Sequence, residues 1–357
     1  MWSHLHRCTP VVMIVTGSVP MLKAYSFADR SHHQKALFCQ SMAKEPSKKQ
    51  LLIVDCGSGH SSAMLYAQPE PHMPAKVTLE FKDEFPVLVD ALQTGGMGAQ
   101  AWCNTLTSRL PKGIPVVVGA TAGMRRALED GLIGEVEIEK LREVLRAIPD
   151  AQWSVKVLTG MEEAKAEHVA LTACARWSGV VPPDGTSVSL LSGGGKSMQV
   201  SLGDNEFLSL NLNGFEGTDY LKNMGLAVGV PAWADFVSRS VKLQITNAGI
   251  EHNQFRGNFV IIEMLLWAVQ HTSAATNTWI TRDELITHLT KCIVEVSDRL
   301  RKEQLPILDR QPCIYAAYLT QFRALLQTAF HHSSQFYLVD EWRPARPDWT
   351  LGLFLQS

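Results

Sequence analysis

The sequence predicts an α/β protein of two packed lobes. Three observations carry that prediction. The chain has 357 residues, whereas a single domain commonly holds roughly 100–200. It contains short continuous apolar runs of the buried-strand kind, Leu51-Leu52-Ile53-Val54 and Pro115-Val116-Val117-Val118. Longer segments with helical periodicity accompany them, as from Leu132 to Ile148, where charges interleave with Val136, Ile138, Leu141, Val144 and Leu145.

Residues 1–50 lack sustained periodicity and read as a poorly ordered leader, closing in the polar linker Ala43–Gln50. Order begins at Leu51. The turn Gly57-Ser58-Gly59 and the following run Ala63–Ala67 make a strand–turn–strand hairpin. Pro115–Val118 runs into Gly119 and a helix that includes Met124–Leu128. Val155–Leu158 reads as a strand and Met161–Arg176 as a helix. Val188–Leu191 and Gln199–Leu202 bracket Gly193-Gly194-Gly195 and repeat the hairpin pattern. Beyond Asn258 the chain reads as mostly helical until strands at Phe336–Val339 and near Leu351–Leu355.

Composition excludes several classes. With 46% hydrophobic and 19% charged residues and a net charge of −2, the chain is not of the disordered type. No basic excess drives binding to nucleic acid or anionic lipid. Seven scattered cysteines, never spaced as CxxC, exclude a disulfide framework and a structural zinc site of ordinary spacing. They read as buried or free thiols, with Cys292 and Cys313 the one pair considered for a bridge. The longest membrane candidate, Val11–Val15 extended to Leu22, is broken by Gly17 and Pro20, and a spanning helix needs about 20 mostly apolar residues. Arg7 before this run makes a poor signal peptide without a clean cleavage site, and no Asn-x-Ser/Thr sequon is present; the expectation leans to the cytoplasm.

Four segments carry candidate chemistry. In Asp55-Cys56-Gly57-Ser58-Gly59-His60-Ser61-Ser62, a carboxylate at a strand end can hold a hydrated cation, and the Gly/Ser turn offers N–H groups and hydroxyls to a phosphate; the plain alternative is an ordinary hairpin. Ser192-Gly193-Gly194-Gly195-Lys196-Ser197-Met198-Gln199 is not a P-loop, because Leu190 stands where GxxxxGK[ST] needs glycine and the flanks read as strands. It suits a second phosphate clamp facing the first. Gly160-Met161-Glu162-Glu163-Ala164 sits at a strand-to-helix junction. Acidic residues there are usually complements of the helix dipole, but a carboxylate beside a metal-bound phosphate can act as general base. Gly119-Ala120-Thr121-Ala122-Gly123-Met124-Arg125 offers small residues, a hydroxyl and a fixed positive charge. His168 reads as a helix-surface or core residue rather than a ligand.

The order of these segments is more specific than any one of them. Asp55–Ser62 resembles the first apyrase-conserved region of the GDA1/CD39 nucleoside phosphatase family, Gly119–Arg125 the second, Leu158–Glu163 the third and Gly194–Gln199 the fourth. Asp348-Trp349-Thr350-Leu351-Gly352 is similar to the family's C-terminal segment, read here as a strand, and Asn213-Gly214-Phe215 with Tyr220-Leu221 to another, less specific one. The resemblance implies two ribonuclease-H-like lobes of the actin/hexokinase-like type around a nucleotide cleft. Lobe I would span 51–150, completed by 330–357, and lobe II 151–329.

The same resemblance implies release of terminal phosphate from nucleoside tri- and diphosphates with Ca²⁺ or Mg²⁺. Glu163 would be the catalytic base, with Ser197 and Gln199 positioning water. Ser58, Gly59, His60 and Ser61 would cradle one phosphate, and Gly194, Gly195 and Lys196 another. Asp55 would hold the hydrated metal with Thr121 nearby, and Arg125 would add charge. One departure is Ser192, where the family has a metal-associated Asp; a hydroxyl removes a negative charge, and Lys196 adds a positive one. Two alternatives stay open: an exopolyphosphatase/guanosine-pentaphosphatase, and a catalytically weak nucleotide-binding protein of the same fold.

Overall fold

The computed structural model describes residues 49–57, 61–70, 72–149, 152–193, 197–203, 206–210, 229–270, 276–302, 310–343 and 345–357. The expected leader lies outside them except for Lys49 and Gln50, which already open the first strand. The segments at Asn213–Phe215 and Tyr220–Leu221 also lie outside.

Two mixed sheets form the frame. The first contains β1 (Lys49–Cys56), β2 (Ser61–Gln68), β3 (Lys76–Phe85), β4 (Val116–Ala120) and β5 (Trp153–Val157) in the order β3-β2-β1-β4-β5. The second contains β6 (Ser189–Gly193), β7 (Met198–Leu202), β8 (Glu206–Leu210), β9 (Asn258–Ile262), β10 (Trp279–Thr281) and β11 (Gln335–Leu338), ordered β10-β11-β9-β6-β7-β8. In each sheet an antiparallel three-strand meander joins, through its first strand, to a parallel strand reached by a crossover. The second sheet thus repeats the topology of the first and adds one edge strand. Both expected hairpins form, β1 with β2 and β6 with β7.

The helices are α1 (Leu88–Gln93), α2 (Gly96–Arg109), α3 (Ala122–Glu129), α4 (Glu135–Arg146), α5 (Gly160–Ser178), α6 (Gly229–Asn247), α7 (Glu263–Gln270), α8 (Arg282–Lys302), α9 (Arg310–Ala329) and α10 (Trp349–Gln356). Helix α5 joins the two sheets physically as well as in sequence. Its Ala166, Ala170 and Cys174 pack with Ile53, Tyr66 and Phe354 on the first sheet's side. Its Leu171 and Ala175 pack with Leu190, Val260 and Ile262 of the second. A helix buried on two sides keeps only a narrow polar stripe, here Glu162, Lys165, Thr172 and Arg176, and small side chains let both sheets approach it. Remaining core residues of the second sheet cluster around Phe255, Phe259, Phe330 and Phe336.

Three expectations need correction. Trp153–Val157 belongs to the first sheet, pairing in parallel with β4, so that sheet extends past residue 150. Gln335–Leu338 pairs with β9 and belongs to the second sheet, so the first sheet regains only α10 from the tail. The run Leu351–Leu355 is helical, not a strand. Asp348 caps it, accepting from the Leu351 N–H at 2.8 Å, and a capped start outweighs an apolar pattern too short to show its own period.

The cysteines follow the plain reading where they are described: Cys56, Cys103 and Cys174 are buried thiols, raised by burial, Cys103 to about 12. The Cys292–Cys313 pairing falls on Cys313, whose side chain lies outside those described.

Candidate functional site

The first hairpin places Asp55 beside Ser62 on β2 and Gly119 on β4. Gly119 is required there by its neighbour. A Cβ at this position would lie 2.4 Å from Cη2 of Trp349, so the indole seats directly on the bare backbone of β4. Gly119→Ala is therefore expected to destabilise the fold by about 1–3 kcal/mol through overpacking, read as a lower urea midpoint at unchanged m-value. Ser61 is fully buried, and its hydroxyl donates to the Pro86 carbonyl at 3.0 Å. Its side chain is committed to the fold. Ser58, Gly59 and His60 lie outside the described residues.

Thr121 is the N-cap of α3, with its carbonyl accepting from Met124 and Arg125. Arg125, one turn on, points to the start of α5. Its Nη1 donates to the Leu158 carbonyl at 2.6 Å and its Nη2 to Glu163 Oε2 at 3.0 Å.

The two adjacent glutamates at that helix start separate cleanly. Glu162 closes a capping box with Thr159: its Oε2 accepts from the Thr159 N–H at 2.8 Å, while Thr159 Oγ1 accepts from the Glu162 N–H at 3.2 Å. Those bonds hold its carboxyl below the usual range. Glu163, the next residue round the helix, turns inward, with only 7% of its surface exposed. Burial pushes its carboxyl above the ordinary glutamate value, and the charge and hydrogen bond of Arg125 act against that rise. The helix-dipole role thus falls to Glu162, leaving Glu163 as a buried carboxylate anchored through one oxygen.

The second hairpin brings Ser192, Gln199 and Ser197 together. Ser192 on β6 is the register partner of Gln199 on β7, and Gln199 Nε2 donates to Ser197 Oγ at 2.7 Å. All three are at most 2% exposed. With its oxygen accepting that bond, Ser197 keeps a hydroxyl proton to donate, and Gln199 keeps its carbonyl oxygen to accept. Gly194, Gly195 and Lys196 lie outside the described residues. His168 is a core residue: its Nδ1 and Ser201 Oγ are 2.7 Å apart.

Three acidic residues carry no assigned role in the sequence reading. Glu167 lies one turn beyond Glu163 on α5 and is 3% exposed. Glu263 starts α7 with a left-handed φ of 59°, an unusual conformation for a residue with a side chain. Asp348 caps α10 and also accepts from Thr350 Oγ1 at 2.5 Å. Burial raises Glu167 and Asp348. The Glu263 residue keeps some exposure, but enclosure of its carboxyl and the charge of Asp348 push it to about 7. Glu163, Glu263 and Asp348 each raise Glu167 by their charge.

These donors are carboxylate and hydroxyl oxygens, which suit a hard divalent cation such as Mg²⁺ or Ca²⁺. Among the described residues, no three His, Cys, Asp or Glu side chains converge as a direct metal cage. The residues fit a cation that keeps most of its waters and completes its shell with substrate phosphates.

Comparison with solved structures agrees with the repeated topology. The PPX-GPPA enzyme of Aquifex aeolicus matches with a TM-score of 0.55 at 12% identity, covering 87% of this chain and 100% of that one. Another structure of a Ppx/GppA family member from Aquifex aeolicus gives 0.53 at 11% identity, covering 87% and 97%. An exopolyphosphatase-like protein gives 0.53 at 14% identity, also covering 87% and 97%. The fold is actin/hexokinase-like. Its two lobes are the two mixed sheets with their helices, and α5 runs between them. No family model and no curated protein matches the sequence. Among the described residues, no helix is long and apolar enough to cross a membrane.

Proposed function

We propose that the protein is a phosphohydrolase that releases the terminal phosphate of a phosphoanhydride by attack of water. The observation that carries this reading is Glu163. It is a buried carboxylate at a helix N-terminus, held through Oε2 by Arg125, with its neighbour Glu162 occupied in the cap. Arg125 fixes one oxygen, so the other is oriented to take a proton from water, and a carboxyl raised by burial is a better base than a free glutamate. The Ser197 hydroxyl and the Gln199 amide oxygen supply a donor and an acceptor to orient that water. Asp55 and Thr121 would hold a hydrated Mg²⁺ or Ca²⁺. Such a cation neutralises phosphate charge when bound. The chain's own part is to clamp, orient and exclude competing water, which is most of what phosphoryl transfer demands.

Two substrate classes compete. The motif order, from Asp55–Ser62 to Trp349–Gly352, resembles GDA1/CD39 and favours nucleoside tri- and diphosphates. The fold likeness to Ppx/GppA and exopolyphosphatase-like proteins over most of the chain favours linear polyphosphate or guanosine pentaphosphate.

One assay decides: phosphate release by the full chain from ATP, ADP, UDP and polyphosphate, with Mg²⁺, with Ca²⁺ and with EDTA. The expected outcome is release that EDTA abolishes, and the better substrate class names the enzyme. Silence on every substrate with binding intact would leave a nucleotide- or polyphosphate-binding protein and overturn the proposal.

A further inference from the structure

We propose that Glu167, facing Ser192 across the α5–β6 contact, supplies the carboxylate with which this chain holds a hydrated divalent cation at its phosphate site. The inference rests on the phosphohydrolase reading and deepens it.

The repeated topology defines what is missing. Asp55 in β1 pairs with Ser62 in its hairpin and with Gly119 in the parallel neighbour. Ser192 in β6 occupies the equivalent place, pairing with Gln199 in its hairpin and with Ile262 in the parallel neighbour. Both residues stand just before a glycine turn. One sheet therefore offers a carboxylate at this position and the other a hydroxyl.

Glu167 restores the balance from the adjoining helix. It follows Glu163 by four residues, so both project from one face of α5. Apart from their contact with each other, neither Glu167 Oε2 nor Ser192 Oγ has a hydrogen-bond partner, although Glu167 is 3% and Ser192 0% exposed. Burial, and after it the charges of Glu163, Glu263 and Asp348, oppose the charged form of Glu167, while the hydrogen bond of the Ser192 hydroxyl favours it. Burying a carboxylate in the field of three others, with Oε2 given no partner but Ser192, costs folding free energy that apolar packing of the same volume would not. A cation ligand accounts for that cost; a structural glutamate does not. Mg²⁺ is ordinarily held by one or two carboxylates with waters and phosphates, and Asp55 with Glu167 makes two, one from β1 and one from α5.

The test is Mn²⁺ binding to the full-length protein, followed by the electron paramagnetic resonance signal of free Mn²⁺. The probe ligands are the β,γ-imido analogue of ATP and tripolyphosphate, each at saturation. Glu167→Gln is expected to weaken Mn²⁺ binding at least tenfold. Ser192→Asp placed in the Glu167→Gln background is expected to recover most of that loss, because the carboxylate returns on the opposite wall. Unchanged Mn²⁺ affinity in Glu167→Gln, or a double variant no better than the single, overturns the inference. If Glu167→Gln does not fold, Glu167→Asp answers the same question. It keeps the charge but withdraws it by one methylene, and wild-type affinity there overturns the inference too. Wild-type protein that takes up no Mn²⁺ with either probe overturns the metal-assisted reading itself, a result distinct from both.

Discussion

Glu163→Gln lowers the turnover number by about 10²–10⁴, the usual contribution of a positioned general base, and leaves substrate binding within about twofold. The amide is isosteric, and its oxygen can still accept from Arg125 Nη2, the 3.0 Å bond that fixes the side chain now. What it cannot do is take a proton. A change confined to kcat, with KM nearly unaltered, is the signature of an interaction made only in the transition state. Single-turnover phosphate release measures it directly. The companion substitution Glu162→Gln acts differently: it weakens a capping box on the exposed side of the helix and costs stability rather than turnover. A Glu163→Gln variant with the wild-type rate would remove the base from this site altogether.

The contrast between these two neighbours shows what the sequence discloses. Local signals were legible. Each glycine turn between two apolar runs forms a hairpin, because turn chemistry and strand pattern agree over a few residues. The capping box Thr159–Glu162 and the buried Glu163 follow from adjacent positions, but only the three-dimensional neighbours show which carboxylate turns inward. Long-range choices were not legible. Asn258–Ile262, the parallel strand at the centre of the second sheet, leads straight into α7, and four apolar residues joined to a helix read as more helix. Edge strand β3 carries Lys, Glu and Asp along its length and lacks the apolar signal of a buried strand. Glu167 looks like any helix-surface glutamate until the second sheet covers it, and nothing in the sequence marks Glu263 for a left-handed φ.

Gly352→Ala destabilises the protein by about 3 kcal/mol or more, at the upper end of overpacking effects. A Cβ at Gly352 would lie 1.9 Å from the carbonyl oxygen of Ala166 and 2.8 Å from its Cα. Both are backbone atoms of α5, so no side-chain rotation relieves the overlap and the two helices must separate. Their contact is extensive: α10 packs on α5 through Leu351 and Phe354 against Ala166 and Ala170, and Cys174 donates to the Ala345 carbonyl at 3.4 Å. Ala166→Gly in the same chain is not expected to rescue it, since the clash does not involve the Ala166 side chain. Gly96→Ala is the control; that exposed helix-start glycine has nothing within 4 Å of an added Cβ, and the exchange is expected to be neutral or slightly stabilising. Urea denaturation separates the three variants. The consequence reaches the chemistry because α5 carries Glu163 and Glu167, while Trp349 of α10 covers Gly119 beside Asp55. A folded remnant of Gly352→Ala should therefore lose turnover even where its far-ultraviolet circular dichroism is retained. Full activity with an unshifted urea midpoint would show that the helices can part without cost, and the close α5–α10 approach would lose its role in fixing the proposed base Glu163.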